Sequence, residues 1–438
     1  MDKADIVHPH RPRVVIIGGG FAGINAAKAL CDVPVSVLVA DRRNYHLFQP
    51  LLYQVATAVL SPADIASPIR SILKDQANAE VRLAELTDID LARHEVRFNN
   101  GSVHYDYLIL ATGATHSYFG KDDWESIAPG LKTIDDALEI RRRILLAFEE
   151  AEFEADEEAR RGDLTFVVVG GGPTGVELAG ALIEIAARTI PHDFRYIDTT
   201  TARVILVEAA DRLLQAMPEE MSRRAERELT EMGVEVRLNS LVTGMEDGAV
   251  YIGEERLATA NVIWAAGVQG SPAARLLKSD LDRAGRVMVR PDLSVSGHPE
   301  IFVVGDLAHA VDSVTGAPVP GVAPAAKQMG EFVADVIRRE IVGEITPPTR
   351  PAFAYHDKGT MATIGRFKAV AAVGKRKFTG TFAWLLWSLI HIFFLVGFRR
   401  RVFVMFSWIW HYASFHKGAR LITGEPRMKI KSPRNSEE

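Results

Sequence analysis

Two glycine-rich turns in this sequence have the residue types and spacing that hold a phosphate group. They read, in chain order, Gly18-x-Gly20-x-x-Gly23 and Gly170-x-Gly172-x-x-Gly175. In such a turn the first glycine permits a tight bend, the second lets the backbone approach a pyrophosphate, and the third lets the next helix pack close to its strand. Free N–H groups at the helix N-terminus then bind the anion. Both turns are therefore candidate dinucleotide sites.

Each turn is followed by an acid that could accept hydrogen bonds from ribose hydroxyls. Asp41 comes 23 residues after Gly18, and Glu208 comes 38 residues after Gly170, because about a dozen residues from Thr189 lengthen the second crossover. A carboxylate at Glu208 would repel a 2′-phosphate, so the second turn predicts NADH over NADPH, although Arg212 nearby leaves the preference open. The plain alternative for Glu208 is an acid that simply ends a strand.

The elements around the two turns repeat one another. An apolar strand precedes each turn, a helix follows it, and a second apolar strand ends at the acid. In chain order, the predicted elements are strand 14–17, a helix to about Leu30 and strand 35–39, then strand 166–169, helix 176–188 and strand 204–207. This duplication predicts an α/β fold with two Rossmann-like units. A charged stretch between them, 135–161, predicts one linker helix at a domain boundary.

Composition excludes several other classes of protein. The chain has 438 residues, 47% of them hydrophobic, and a net charge of −5, which gives no case for nucleic-acid binding. Cys31 is the only cysteine, so neither an intrachain disulfide nor a dithiol relay is possible, and no metal site is expected. The N-terminus has no apolar segment before the first strand, so we expect no secretory signal.

Three further motifs resemble those of the two-dinucleotide-binding-domain flavoproteins. They are Tyr107-Leu-Ile-Leu-Ala-Thr-Gly113, Val262-Ile-Trp-Ala-Ala-Gly267 and Ile301-Phe-Val-Val-Gly-Asp306. The resemblance implies that the first unit binds FAD noncovalently, through Gly18, Gly20, Phe21, Ala22, Gly23, Asp41, Arg42, Thr112, Gly113, Gly305 and Asp306. It implies that the second unit binds NADH, through Gly170, Gly172, Thr174, Gly175, Glu208 and Gly267. The expected domains are 11–120 with 268–345 for FAD, an inserted 121–267 for NADH, and a C-terminal membrane-association region, 346–438.

Two longer segments and the tail resemble the type II, non-proton-pumping NADH:quinone oxidoreductases. They are Asp41–Thr57, Asp357–Arg366, and Gly397–Arg401 with Trp408, Trp410 and Tyr412. The resemblance implies a homodimeric respiratory enzyme that passes two electrons from NADH through FAD to a membrane quinone. Two alternatives stay open: a flavin-dependent NADH oxidase or reductase with a soluble acceptor, and a non-enzymatic NADH-sensing scaffold.

The same resemblance implies the catalytic residues Glu177 and Gln328. It places Glu177 beside the nicotinamide and the flavin ring, where it delivers or positions a proton; the alternative is a carboxylate favoured by the helix dipole in the first turn. Residues 323–328 resemble a stretch that closes the quinone site, with Pro324 in place of its first glutamine. Ala325, Gln328 and Lys375 are quinone-site candidates, although Gln328 could simply cap or be solvated at a helix start. His46 and Tyr53 are interpreted as packing residues.

The C-terminal region predicts contact with a membrane. Residues 378–398 form an uncharged run of 21, which as a helix of roughly 31 Å could cross a bilayer. Basic clusters flank it on both sides, and 402–415 is rich in aromatic residues, which favours a helical hairpin lying on an anionic leaflet. We therefore expect monotopic attachment to the cytoplasmic face of the inner membrane, with a single transmembrane span or a buried dimer core as alternatives.

Overall fold

The computed structural model of the chain describes residues 11–414 and 419–423. The chain forms two compact units. The first contains the part up to Leu47, Ala66–Thr115 and Val268–Lys358; the second contains Phe48–Ile65, His116–Gly267 and the described residues from Gly359 onward. Two segments that are distant in sequence from the predicted inserted domain, Phe48–Ile65 and the described residues from Gly359 onward, therefore group with it, because they pack on it.

A six-stranded sheet forms the core of the first unit. Its spatial order is Ser294–Val295, His298–Val303, Tyr107–Leu110, Arg13–Ile17, Ser36–Asp41 and Ala79–Leu83. All neighbouring strands are parallel except the first pair. Val14, Val15 and Ile16 are fully buried, as expected of a parallel strand covered on both faces. The strands predicted at 14–17 and 35–39 are confirmed, the second with a start and an end shifted by one or two residues.

The helices of the first unit cover this sheet. They are Phe21–Ala29, Ile69–Ile72 and Ala323–Ile341, with single 3-10 turns at Pro272–Leu277, Gly305–Leu307 and Pro347–Thr349. The remaining strands are Tyr45–Leu47, Ala66–Pro68, Leu86–Asp90, Glu95–Phe98, Gly101–His104, Ala114–His116, Val268–Gly270, Val287–Met288 and Ala308–His309. Gly330 lets the two long helices touch, since a Cβ there would lie 2.2 Å from the Ala22 carbonyl oxygen.

The second unit repeats the central arrangement of the first. Its parallel sheet has the order Val234–Arg237, Arg203–Val207, Thr165–Val169 and Asn261–Trp264. In each unit the strand before the glycine turn lies between two other strands. One leads to the acid, Asp41 or Glu208, and the other belongs to the motif that ends at Gly113 or Gly267. The internal duplication and the α/β class predicted from the sequence are therefore confirmed.

The helices of the second unit correct two predicted boundaries. They are Leu52–Ala56, Pro62–Ile65, Ile134–Phe153, Glu157–Asp163, Pro173–Glu184 with a π-helical extension Ile185–Thr189, and Glu219–Glu231, beside 3-10 turns Gln49–Leu51, Asp122–Ser126 and Thr199–Thr201. The single helix predicted over 135–161 is wrong. It ends at Phe153 because Glu154 is extended, and Asp156 caps a new helix by accepting from the Ala159 N–H. The helix predicted from Val176 begins at Pro173.

Two small antiparallel sheets and two helices complete this unit. The sheets contain Val242–Glu246, Ala249–Ile252 and Glu255–Ala258, and Thr360–Gly365, Lys368–Val373 and Arg376–Thr379. The helices are Gly380–Phe394 and Phe398–Ser414. The predicted pair of helices is thus confirmed, and the uncharged run 378–398 is interrupted at Leu395, which is extended.

Within the described ranges, no helix combines the length and the apolar character needed to span a membrane. The end of the predicted aromatic stretch, at Phe415, and most of the basic tail lie outside the described residues.

Candidate functional site

The first glycine turn has the geometry that its spacing predicts. Gly18 has φ +106°, a conformation that favours glycine. A Cβ on Gly23 would lie 1.9 Å from the Gly18 carbonyl oxygen, so only glycine at this position lets the first turn of the helix lie so close to the strand end. No described atom lies within 4 Å of a Cβ built on Gly20, and no described side chain caps the helix Phe21–Ala29. The turn therefore offers open space at an uncapped helix N-terminus, where an anion can bind.

The second turn has the same backbone features as the first. Gly170 has φ +111°, and a Cβ on Gly175 would lie 1.8 Å from the Gly170 carbonyl oxygen. Around Gly172, again, a built Cβ meets no described atom within 4 Å. Thr174 is in the first turn of the helix that follows, Pro173–Glu184. The two copies thus have the same local structure despite their different following sequences.

The two strand-end acids tie down their own turns. Asp41 accepts the Gly19 N–H at 2.6 Å, and Glu208 accepts the Gly171 N–H at 2.6 Å. The second carboxylate oxygen of each accepts a backbone N–H two residues further on, that of Arg43 or Ala210. Burial raises the pKa of Asp41, and the two N–H donors oppose that rise. The structure therefore adds a bracing role to the ribose contact that the sequence predicts.

The other predicted FAD residues lie at the same edge of the first sheet. Thr112 and Gly113, Gly18, and Gly305 follow three adjacent parallel strands at their carboxyl ends, where ligands bind in open α/β sheets. The Thr112 and Ser271 hydroxyls are 2.6 Å apart, and the Gly113 carbonyl accepts the Ser271 N–H. A Cβ on Gly321 would lie 3.5 Å from the Asp306 carboxylate. Arg42 is exposed.

His46 packs beneath the first turn. Its Nδ1 lies 2.9 Å from the Gly19 carbonyl oxygen, and its ring meets the Phe21 ring edge-on with centroids 5.0 Å apart. Burial lowers the pKa of His46, so the ring is neutral at pH 7. The interpretation of His46 as a packing residue is confirmed.

A cavity of about 600 Å³ opens beside the second turn. This volume is in the range of cofactor sites. Gly170–Pro173, Glu208 and Gly267 line it, together with residues that the sequence reasoning missed: Tyr118, Phe119, Trp124, Trp264 and Leu214–Met217. Trp264 lies within a motif already recognised, so its aromatic ring was a usable signal. Arg212 donates to the Gln215 and Met217 carbonyls and so braces the loop 214–217.

Glu177 lies in an environment that is unusual for a carboxylate. It is the fifth residue of its helix and lies beyond the first turn, so the explanation by the helix dipole is wrong. It lines a cavity of about 30 Å³ with Tyr53, Gln54, Thr363, Glu184 and Arg366, among others, and accepts the Thr363 N–H at 3.4 Å. Burial raises the pKa of Glu177 to about 8, so the carboxyl is mostly protonated at pH 7.

A close backbone contact holds Thr363 against this helix. A Cβ on Gly180 would lie 1.7 Å from the Ile364 carbonyl oxygen, so only glycine permits the approach. One turn further, Glu184 accepts the Arg366 N–H at 2.6 Å. The strand Thr360–Gly365 therefore lies directly on the helix that carries Glu177.

The quinone-site candidates have different environments. Gln328 donates to the His356 carbonyl at 3.0 Å and accepts the His356 N–H at 2.9 Å, so its amide braces the backbone. Ala325, on the same helix, is 1% exposed. Pro324 stands in the first turn, where its missing N–H costs nothing. Lys375 is exposed on a turn of the second unit.

Comparison with known proteins agrees with this arrangement. Residues 12–330 match the pyridine nucleotide-disulphide oxidoreductase family. The type II NADH:quinone oxidoreductase Ndh of Mycobacterium tuberculosis is 45% identical over 95% of this chain and 91% of its own. NdhA of the same organism, also a type II NADH:quinone oxidoreductase, is 47% identical over 95% of this chain and 90% of its own. The structure of NDH2 from Plasmodium falciparum in complex with NADH superposes with a TM-score of 0.84 at 20% identity, over 94% of this chain and 100% of that one.

Two glycine turns at the carboxyl ends of parallel sheets, one of them beside a large cavity, define a two-dinucleotide oxidoreductase fold. The chain belongs to the pyridine nucleotide-disulphide oxidoreductase family and, within it, to the type II NADH:quinone oxidoreductases. The family recognised from the sequence motifs is confirmed.

Proposed function

We propose that this enzyme transfers two electrons from NADH through FAD to a membrane quinone, without pumping protons. One observation carries the proposal: the identity to relatives named for NADH and quinone extends over 95% of the chain, including the C-terminal region that packs at Glu177. A soluble-acceptor reductase or a sensing scaffold would not require that region to resemble quinone reductases.

The first unit suits FAD. Open space at Gly20, the uncapped helix after it and the acid at Asp41 fit an adenosine diphosphate moiety. The FAD-binding residues we propose are Gly18, Gly20, Phe21, Ala22, Gly23, Asp41, Arg42, Thr112, Gly113, Gly305 and Asp306. When bound, FAD supplies an isoalloxazine ring that accepts two electrons from NADH and passes them to the quinone.

The second unit suits NADH. The free helix N-terminus at Gly172 and Thr174 would bind the pyrophosphate, and Glu208 at the strand end would disfavour the 2′-phosphate of NADPH. The aromatic wall at Tyr118 and Trp264 offers apolar surface to a base or nicotinamide ring.

Glu177 is suited to hold the proton that the overall reaction consumes. NADH, quinone and one proton give NAD⁺ and quinol, so one proton must come from solution. The carboxyl of Glu177 is mostly protonated at pH 7 and lies in a cavity large enough for a water molecule. We propose that Gln328 contributes by holding the backbone at His356 in place. Ala325 and Lys375 are the other residues that we propose for the quinone site.

The C-terminal helices present an apolar face suited to a lipid surface. Eight apolar or aromatic side chains described on them are more than half exposed: Phe382, Leu385, Leu389, Phe393, Phe403, Phe406, Ile409 and Trp410. On the first helix they recur at helical spacing, which gives one stripe. Such a face, flanked by basic clusters, favours monotopic attachment to an anionic membrane surface. We place the enzyme on the cytoplasmic face of the inner membrane, as a homodimer.

An anaerobic titration of the purified protein tests the function. NADH should bleach the flavin absorbance, and a ubiquinone or menaquinone analogue should restore it without oxygen. NADPH at equal concentration serves as the control and should reduce the flavin much more slowly. Bleaching by NADH with no reoxidation by either quinone would show that the acceptor is wrong, and restoration only on admitting oxygen would favour a soluble acceptor.

A further inference from the structure

A chain of hydrogen bonds runs from the last described helix to the cavity at Glu177. The Trp408 indole donates to Gln54 Oε1 at 2.7 Å, and Gln54 Nε2 donates to the Tyr53 hydroxyl at 3.0 Å. The Tyr53 and Thr363 hydroxyls are 2.9 Å apart, and Thr363 lies against Glu177. Trp408, Gln54, Tyr53 and Thr363 are 3%, 2%, 7% and 5% exposed. These links join three separate segments of the second unit.

The indole fixes the direction of the first two links in this chain. An indole N–H can only donate, so the Gln54 atom facing it must be the amide oxygen, which turns the amide nitrogen toward Tyr53. The Tyr53 oxygen therefore accepts from Gln54, and the Tyr53 and Thr363 hydroxyls share a hydrogen bond in which either group can be the donor. Thr363 in turn donates its backbone N–H to Glu177 Oε1. The indole thus fixes the Gln54 amide that holds Tyr53 against the strand that carries Thr363.

We propose that Trp408 is a positioning residue that orients this hydrogen-bond chain and thereby sets the protonation of Glu177. The role of Glu177 in proton delivery rests on the proposed function, whereas the hydrogen-bond chain does not. An N–H donated to a carboxyl stabilises its charged form. Without the indole donor the Gln54 amide can turn away from Tyr53. Tyr53 then holds Thr363 less firmly, and the N–H bond from Thr363 to Glu177 weakens, which favours the protonated form.

The other titratable and charged groups at the cavity are few. Glu184 lies on the same helix as Glu177, Arg366 follows the strand that carries Thr363, and Tyr53 comes from the short helix Leu52–Ala56. Glu184 accepts the Arg366 backbone N–H, an interaction that a change at Trp408 leaves in place. A change in the titration of Glu177 after substitution of Trp408 therefore reports on the chain and not on these charges.

The test is a direct titration of Glu177 in the full-length, FAD-loaded protein in detergent. Infrared difference spectra follow the carboxylic acid C=O band, which is assigned by its loss in Glu177→Gln. In Trp408→Phe the midpoint should rise by about 0.5 to 1 pH unit, the scale of one hydrogen bond to a carboxylate. The pH profile of quinone reduction should move in the same direction. The infrared titration needs no turnover, so it stays readable if quinone is not the acceptor.

Trp384→Phe is the matched control. Trp384 is also buried, at 7% exposure, on the neighbouring C-terminal helix, but it is not part of the chain. It loses the same ring volume and should leave the midpoint unchanged. Gln54→Leu removes both hydrogen bonds of Gln54 and should raise the midpoint as Trp408→Phe does. The double variant should shift it no further, because both changes act on one chain.

If Trp408→Phe does not fold, site-specific replacement of Trp408 by β-(3-benzothienyl)alanine removes only the N–H donor and keeps the ring shape. A higher midpoint in either Trp408 variant, absent in Trp384→Phe, supports the proposal. An unchanged or lower midpoint, or an equal rise in Trp384→Phe, overturns it.

Discussion

In the second glycine turn, the third glycine should be important for stability and the second glycine for dinucleotide binding. In Gly175→Ala the new methyl group would lie 1.8 Å from the Gly170 carbonyl oxygen, against at least 3.4 Å in ordinary contact, so the helix and the strand must separate. Overpacking of this kind costs about 1–3 kcal/mol. At roughly 2–4 °C per kcal/mol for a domain of this size, the unfolding midpoint should fall by about 5 °C.

Gly172→Ala is the matched substitution, in the same turn. Gly172 has φ −71° and ψ 180°, which alanine adopts freely, and its Cβ would meet no described atom within 4 Å. The unfolding midpoint should therefore stay the same or rise slightly. Alanine lowers the conformational entropy of the unfolded chain, which can raise the free energy of unfolding by about 0.4–1 kcal/mol. The methyl group would occupy the space where a pyrophosphate approaches, so the Kd for NAD⁺ should rise about tenfold or more, equivalent to about 1.4 kcal/mol.

Both effects can be measured on the FAD-loaded protein. Thermal unfolding without nucleotide, followed at one fixed scan rate, gives the midpoints; titration calorimetry with NAD⁺ gives the Kd without turnover. Two results would refute the reasoning: an equal loss of stability in both variants, or wild-type affinity for NAD⁺ in Gly172→Ala. The first would mean that the close approach at Gly175 relaxes at no cost, and the second that the dinucleotide does not cross Gly172.

Three further predictions concern single side chains. The folded-state pKa of Glu177 is raised to about 8 from its ordinary 4.5, so the charged form weakens the fold and the free energy of unfolding should fall as pH rises between those values. Urea unfolding from about pH 5 to about pH 8 measures this fall, and Glu177→Gln should abolish it. An unchanged pH dependence in the variant would contradict the prediction. Glu208→Gln should narrow the preference for NADH over NADPH by about tenfold or more in kcat/KM, since it removes the charge that repels the 2′-phosphate; an unaltered ratio would locate the preference elsewhere. Glutamates at Leu389 and Phe393 should reduce co-sedimentation with anionic liposomes several-fold while NADH-dependent dye reduction persists, and undiminished sedimentation would exclude this face as the lipid contact.

The glycine turns could be predicted from the sequence because their causes are local. The steric demands on Gly18 and Gly23 arise from atoms within a few residues, so spacing alone identifies them. Two errors also had local signals that went unused. Asp156, followed by two glutamates, is a helix N-cap, and Pro173 is typical of a first helical position. Reading Pro173 as the start would have put Glu177 beyond the first turn.

The surroundings of Glu177 could not be predicted in this way. Gln54 and Trp408 are 354 positions apart, and neither lies in a pattern that names the other as its partner. The sequence pattern around the short helix Leu52–Ala56 does not indicate that the polar side chain of Gln54 is buried, at 2% exposure. Tyr53, interpreted as a packing residue, is buried but also carries the hydrogen bonds between Gln54 and Thr363. Long-range contacts of this kind depend on the whole fold.

These contacts bear on how membrane attachment and chemistry can be separated by experiment. The C-terminal region is not an appended anchor: its first strand supplies Thr363 to Glu177 and approaches Gly180 so closely that only glycine fits. Removing the residues from Gly359 onward would uncover the helix that carries Glu177 and break the link through Trp408, so lost quinone turnover in such a truncation would not distinguish lipid binding from catalysis. Substitutions confined to the exposed stripe, as at Leu389 and Phe393, leave the buried face of the same helices intact and can separate the two.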